Sequence, residues 1–147
     1  DLHPRVRRQR QMCIRDSIKG KDVVAGNCKY YLNDLSFKNF LYPGFAYGVG
    51  YLLENAVYLE LRRLGYIVYT GSFRDKEVDF VAMKDDRVIY LQATYMLETA
   101  QTMEREYAPL LTIGDNYEKY VVSMDEVQFP SNEGVRHIQA WNLKEIL

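Results

Sequence analysis

Between Gly48 and Leu64 the apolar residues Leu53, Val57, Leu61 and Leu64 recur at the spacing of one helical face, and Gly65 supplies a stop. Three runs of β character follow directly, Tyr66 to Thr70, Lys76 to Met83 and Arg87 to Tyr95. This order constrains the fold most, because a helix that must bury a stripe and strands that must bury a face are satisfied together by a layered α/β arrangement. Lys84-Asp85-Asp86 is a tight polar turn, and Gly71-Ser72 opens the earlier connection, so the three strands read as a meander. A second helix is predicted over Glu98 to Leu111, with Met103, Tyr107, Leu110 and Leu111 on one face and Pro109 bending it or ending it early. Asp115-Asn116 turns into a strand at Tyr120 to Ser123, Val135 to Ala140 is a last strand, and Leu143 to Leu147 is a short terminal helix. No internal repeat interrupts this order.

Ahead of the first long helix, Ile18 to Leu32 reads as a hairpin turning at Gly26-Asn27, and Asp34 can cap a short helix through Leu41 that Pro43-Gly44 ends. Residues 1–17 are different in kind. They hold five Arg against two Asp with almost no apolar periodicity. The run Arg7 to Asp16 looks like the translation of a transposon-based sequencing-library adaptor, so 1–17 is set aside from fold reasoning and expected to be disordered and to make no organised contact. On that reading the natural frame is cut upstream of Ile18.

The charge balance changes once 1–17 is set aside. The whole chain carries 19 Lys and Arg against 20 Asp and Glu, and without those seven charges 14 stand against 18. An acidic domain argues against a broad nucleic-acid surface unless Arg62, Arg63, Arg74 and Lys76 are grouped. With 147 residues, 48% of them apolar and 27% charged, the chain suits one globular domain. No run approaches the roughly 18 apolar residues of a membrane span, so a cytoplasmic protein is expected. Cys13 and Cys28 have no zinc-type spacing, and His3 and His137 stand far apart. Gly44 to Gly50 lacks the lysine of a phosphate loop, and nothing marks a nucleophilic serine for His137.

Polar residues on apolar faces mark the candidate chemistry. At 100° per residue Glu54 falls between Val57, Tyr58 and Leu61, inside the apolar arc, while Glu60, Arg62 and Arg63 lie outside it. Strand alternation puts Glu77, Asp79 and Val81 on one face and Val78 and Phe80 on the other. On the next run Val88, Tyr90, Gln92 and Thr94 share a face. Glu54, Asp79, Gln92 and Thr94 are therefore candidates to converge at one end of the sheet. The plainer alternative is a buried Glu54 bonded to Tyr or backbone groups, with Gln92 and Thr94 bonding across the sheet. Tyr47, Tyr51 and Tyr58 follow helical spacing and read as packing, and the Glu104-Arg105-Glu106 run reads as a solvated helix face.

A helix acid, a strand acid and Gln92-Ala93-Thr94 on the following strand resemble the PD-(D/E)XK nuclease superfamily. From Ile18 onward, the segments Lys29 to Asp34, Gly50 to Asn55, Lys76 to Phe80, Tyr90 to Tyr95, Thr102 to Glu106 and Asp115 to Tyr120 resemble the domain of unknown function 4143. That resemblance implies a restriction-endonuclease-like core over 46–147, a mixed sheet flanked by helices. It also implies that 18–45 is the remnant of a winged-helix-like region, lying behind an N-terminal AAA-type ATPase domain.

The resemblance assigns Glu54, Asp79 and Gln92 as a catalytic set, with Glu54 and Asp79 as ligands for Mg²⁺. The departures bear on activity. Gln92 offers a neutral carbonyl where an acid is usual, and Thr94 stands where the superfamily has its lysine, so Arg74 or Lys76 would have to supply the cation. The expected function is a catalytically degenerate nuclease-like module that needs no cofactor and engages DNA or a protein beside the ATPase, with no membrane partner. A Mg²⁺-dependent DNA endonuclease and a structural lid for the ATPase, which would expose an apolar patch, are the alternatives.

Overall fold

The computed structural model describes residues 12–14, 29–36, 40, 44, 48–73 and 76–147. Five strands form the central sheet in sequence order: β3 (Ile67–Phe73), β4 (Lys76–Lys84), β5 (Arg87–Ala93), β6 (Glu118–Ser123) and β7 (Val135–Gln139). The first three are an antiparallel meander and the last three run parallel, so the sheet is mixed. The α/β class and the flanking helices expected from the sequence are both present. Helix α1 (Val49–Arg63) precedes β3, and α2 (Ala100–Leu111) connects β5 to its parallel neighbour β6, as a parallel pair requires.

The two helices take opposite faces. Leu53, Val57, Tyr58 and Leu61 of α1 pack with Phe80, Ala82, Ile89, Leu91, Tyr120 and Val122. Tyr107 and Leu110 of α2 pack with Val78, Val121 and Val135. Because β6 sends Tyr120 and Val122 one way and Val121 the other, it is apolar on both faces, the pattern of a strand buried between two layers. A 3₁₀ helix, Ala140–Glu145, follows β7 and buries Leu143 against the α1 side.

Three boundaries correct the sequence reading. Helix α2 begins after Thr99, whose hydroxyl accepts from the Thr102 N–H at 3.1 Å, and it runs through Pro109 to Leu111. Proline sits in the last turn, where only the final bonds are affected, and Thr112 Oγ1 donates to the Pro109 carbonyl at 2.7 Å. The predicted terminal helix is a 3₁₀ helix beginning at Ala140. Gly65 ends α1 with φ of 88° as expected, since only a residue without Cβ adopts that angle freely.

The N-terminal part departs further. β1 (Met12–Ile14) pairs antiparallel with β2 (Lys29–Tyr31), Met12 opposite Tyr31 and Ile14 opposite Lys29. Those three residues thus make an organised contact that the adaptor reading denied to 1–17. A strand edge offers backbone groups that pair with any extended segment, whatever its origin. The rest of 1–17, residues 18–28 of the hairpin predicted over Ile18 to Leu32 and most of the helix through Leu41 lie outside the described residues; Asp34 does receive the Ser36 N–H at 2.9 Å. Tyr31 is 1% exposed and stacks on Tyr58 at 4.4 Å within the α1 core.

Candidate functional site

The site begins with an irregularity in β4. Tyr69 pairs with Val81 and Gly71 with Val78, so Asp79 and Phe80 together stand opposite the single residue Thr70. This bulge breaks the expected alternation. Val78 turns to the α2 side and Phe80 to the α1 side, although a regular strand would place them on one face.

On its other edge β4 pairs with β5 as far as Phe80 and Leu91. Beyond that pair two side chains take over from the backbone ladder. Ala93 N–H donates to Asp79 Oδ2 at 2.9 Å, and Asp79 N–H donates to Gln92 Oε1 at 3.2 Å. The splay between the strands therefore fixes the Asp79 carboxylate at the sheet, 7% exposed.

Lys29 of β2 closes the cluster. Its ammonium lies 2.8 Å from Asp79 Oδ1, 3.2 Å from Glu54 Oε1 and 2.9 Å from Glu77 Oε1. Glu54 also accepts from the Tyr31 hydroxyl at 2.6 Å. Lys29 and Tyr31 share one face of β2, and the strand is clamped behind them: Asn55 of α1 accepts from the Leu32 N–H at 2.8 Å and donates to the Leu32 carbonyl at 2.9 Å. The cation is thus held by the core and is not a loose surface side chain.

The ionisations follow from burial and charge together. Burial raises the Asp79 carboxyl and the neighbouring Glu54 charge raises it further; Lys29 opposes both, leaving Asp79 at about 6. Burial alone would lower Lys29, but the Asp79 charge, helped by Glu77 and Glu54, holds it above the usual lysine range. Burial and Glu54 keep the Tyr31 phenol protonated far above its ordinary value.

Glu54 and Asp79 are brought together as expected. Gln92 is not brought to them: it turns to the α2 side, where its Nε2 donates to Glu106 Oε2 at 3.2 Å while its Oε1 serves the Asp79 N–H. The Gln92 oxygen that was expected to serve a metal accepts instead from the Asp79 N–H. Thr94 is buried, with its N–H donated to the Val122 carbonyl at 3.0 Å. Lys76 is exposed and lines a cleft of about 670 Å³ with Glu77, Thr102 and Arg105; the side chain of Arg74 lies outside the described residues.

The residues as arranged do not fit a bound Mg²⁺. Such an ion needs carboxylate oxygens directed at it, and here Asp79 Oδ1 and Glu54 Oε1 are directed at Lys29, while Asp79 Oδ2 holds Ala93.

Two participants escaped the sequence reading. Lys29 lies 25 residues before Glu54 and 50 before Asp79, and its only signal is that it alternates with Tyr31, a core residue. Glu106, read as part of a solvated face, is 7% exposed and held by Arg105 at 2.6 Å as well as by Gln92. A third grouping, Ser123 at the end of β6, Asp125 just beyond it and His137 in the middle of β7, is also buried.

An uncharacterized protein of Haemophilus influenzae is 34% identical to the chain over 106 residues. The match covers 72% of this chain and 26% of that protein, so the chain spans about a quarter of the length of the relative it matches. No family model matches the chain, and no solved structure does.

Proposed function

We propose that the chain is a nuclease-like module of an AAA-type ATPase that has lost phosphodiester cleavage and serves to bind a protein partner. The observation that carries this reading is the Lys29 ammonium lodged between Glu54 and Asp79, where a nuclease of this type would hold its divalent ion. A bulged strand acid beside a helix acid supports the nuclease-like ancestry. Gln92, expected to face Glu54 beside Asp79, bonds Glu106 on the opposite face, which counts against that ancestry and leaves no third ligand for cleavage. The longer Haemophilus influenzae relative is compatible with a module inside a larger chain.

A protein partner is favoured over nucleic acid by where the cations lie. Arg62 and Arg63 end α1 just before β3, with Arg63 paired to Glu60 at 2.6 Å. Lys76 lies at the other end of β3, opposite Phe73. Seven residues of strand at about 3.3 Å each put roughly 20 Å between them. Phosphate recognition needs such charges clustered.

The deciding measurement is nicking of supercoiled DNA by the 147-residue chain with Mg²⁺ or Mn²⁺, run beside Asp79→Ala. The two proteins are expected to be equally inactive. Metal-dependent cleavage that Asp79→Ala abolishes would establish the endonuclease alternative, with Lys29 in the role that Thr94 does not fill.

A further inference from the structure

We infer that His137 is a proton-operated latch that fastens the segment 124–134 over the outer edge of β7. The bonds around the ring fix where its hydrogen sits. The Phe129 N–H can only donate, and it points at His137 Nδ1 from 3.1 Å, so Nδ1 carries a lone pair and the ring hydrogen is on Nε2. Nε2–H then donates to Ser123 Oγ at 2.8 Å, and the Ser123 hydroxyl donates onward to Asp125 Oδ2 at 2.6 Å. Asp125 N–H donates back to Ser123 Oγ at 3.1 Å, and Leu97 N–H donates to Asp125 Oδ2 at 2.8 Å. Every donor in this chain has an acceptor only while the ring is neutral.

This order is not that of a nucleophilic triad, in which the histidine stands between serine and acid and takes the serine proton. Here the serine stands between histidine and acid, and its proton already lies toward Asp125. The grouping holds a segment in place.

The segment covers an edge. β7 pairs with β6 on one side, and on the other its outward carbonyls are met by the segment: Val135 by the Asn132 N–H at 2.9 Å and Ser131 Oγ at 3.2 Å, His137 by Gln128 Nε2 at 3.3 Å. Gln139 Nε2 reaches the Glu126 carbonyl at 3.1 Å, and the Phe129 ring packs edge-on against the imidazole at 5.0 Å. Protonating His137 places a hydrogen on Nδ1, facing the Phe129 N–H. Two donors then oppose each other inside the protein, and the bond at the centre of the segment is lost.

The groups facing the ring set the direction. From the segment, Asp125 bears on it through Ser123 and favours the charged form. From α2 the Tyr107 phenol stands near the same carboxylate and stays neutral, β6 contributes Ser123, and Arg136 of β7 is turned to Glu118 at 2.8 Å. Burial of His137, 2% exposed, outweighs Asp125 and lowers its pKa below the ordinary 6.5. A lowered histidine gives full stability above its unfolded pKa and loses it as pH falls through the folded value. The latch is therefore closed at neutral pH and opens in acid.

Hydrogen exchange and ¹⁵N NMR of the full chain test this together. The His137 ring nitrogens should report the Nε2–H tautomer at pH 7.5. On acidification, protection of the Phe129 amide, corrected for intrinsic exchange, should fall on the order of tenfold with the same midpoint as ring protonation. Amides of Val121 and Val122 in β6 should keep their protection there. Ser123→Ala, which removes the acceptor of Nε2, should move both midpoints together. An Nδ1–H tautomer, a Phe129 amide still protected beside a charged ring, or loss of β6 protection at the same pH would each overturn the latch.

Discussion

Lys29 illustrates why a site can be half legible at the level of single residues. Glu54 and Asp79 each break an apolar pattern on their own element, which is visible without knowing any partner. Lys29 breaks no pattern, since it begins a three-residue strand, and its meaning arises only when β2 is laid against α1 and β4. Glu106 was hidden for a related reason: helical period places it at the border of the apolar face, next to Met103 and Leu110, and its hydrogen bond to Gln92 of another element is what marks it as buried. The Lys29 cluster makes a pH-resolved prediction. Lys29→Met leaves Glu54, Glu77 and Asp79 without their shared cation, and stranding buried charge in this way costs about 3 kcal/mol. Without Lys29 nothing offsets burial and the Glu54 charge, so Asp79 takes up its proton at a higher pH than in the wild-type protein, and the cost should be greatest in alkali and shrink as pH falls. In the wild-type protein the raised carboxyl works in the same sense: its contribution is present below the unfolded value and is lost as pH rises through about 6. Urea unfolding of both proteins at pH 5 and pH 8 measures the difference, and an equal cost at the two values would show that Lys29 acts by packing alone.

At the scale of elements, the helix and strand order was readable because period and turn residues act locally. The long helix, the meander and the Lys84 to Asp86 turn all follow from residues within a few positions of each other, and Asp85 takes the turn with φ of 51°. The bulge at Asp79 and Phe80 was not readable, because it depends on what β3 places opposite. That residue is Thr70, and next to it Gly71 gives β4 room to bend: a Cβ on Gly71 would lie 2.9 Å from Val81 Cγ2 and 3.5 Å from Val78 Cβ. Gly71→Ala should therefore force β4 outward and destabilise the domain by about 1–3 kcal/mol, the usual cost of overpacking. The same shift would pull the Asp79 carboxylate off the Ala93 N–H, so hydrogen exchange at Ala93 should rise more than at Leu91, in the last pair of the regular ladder. Equal exchange changes at the two amides would detach the bulge from the site.

For the whole molecule the decisive quantity is how charge is distributed between the folded layers and the segment that precedes them. From Ile18 onward the chain is acidic, its α1 arginines and Lys76 lie at opposite ends of β3, and Arg87 and Arg136 are both engaged by Glu118, at 3.0 and 2.8 Å. Five arginines, Arg5, Arg7, Arg8, Arg10 and Arg15, stand instead in 1–17. Duplex DNA attracts clustered cations whatever their origin, and each phosphate neutralised contributes a slope of about −0.9 to the dependence of log K on log salt. Any affinity of the 147-residue chain for DNA should then come from those five residues, with a slope of about −4 to −5. Replacing all five with Gln keeps Met12–Ile14 available to pair with β2, so the fold is not disturbed by the test. Fluorescence anisotropy across a salt series should show the slope collapse toward zero in that variant while urea stability stays within about 0.5 kcal/mol of the parent. A steep slope that survives the five replacements would mean that the folded layers themselves carry a phosphate-binding surface, and it would turn the choice of partner from protein back to nucleic acid.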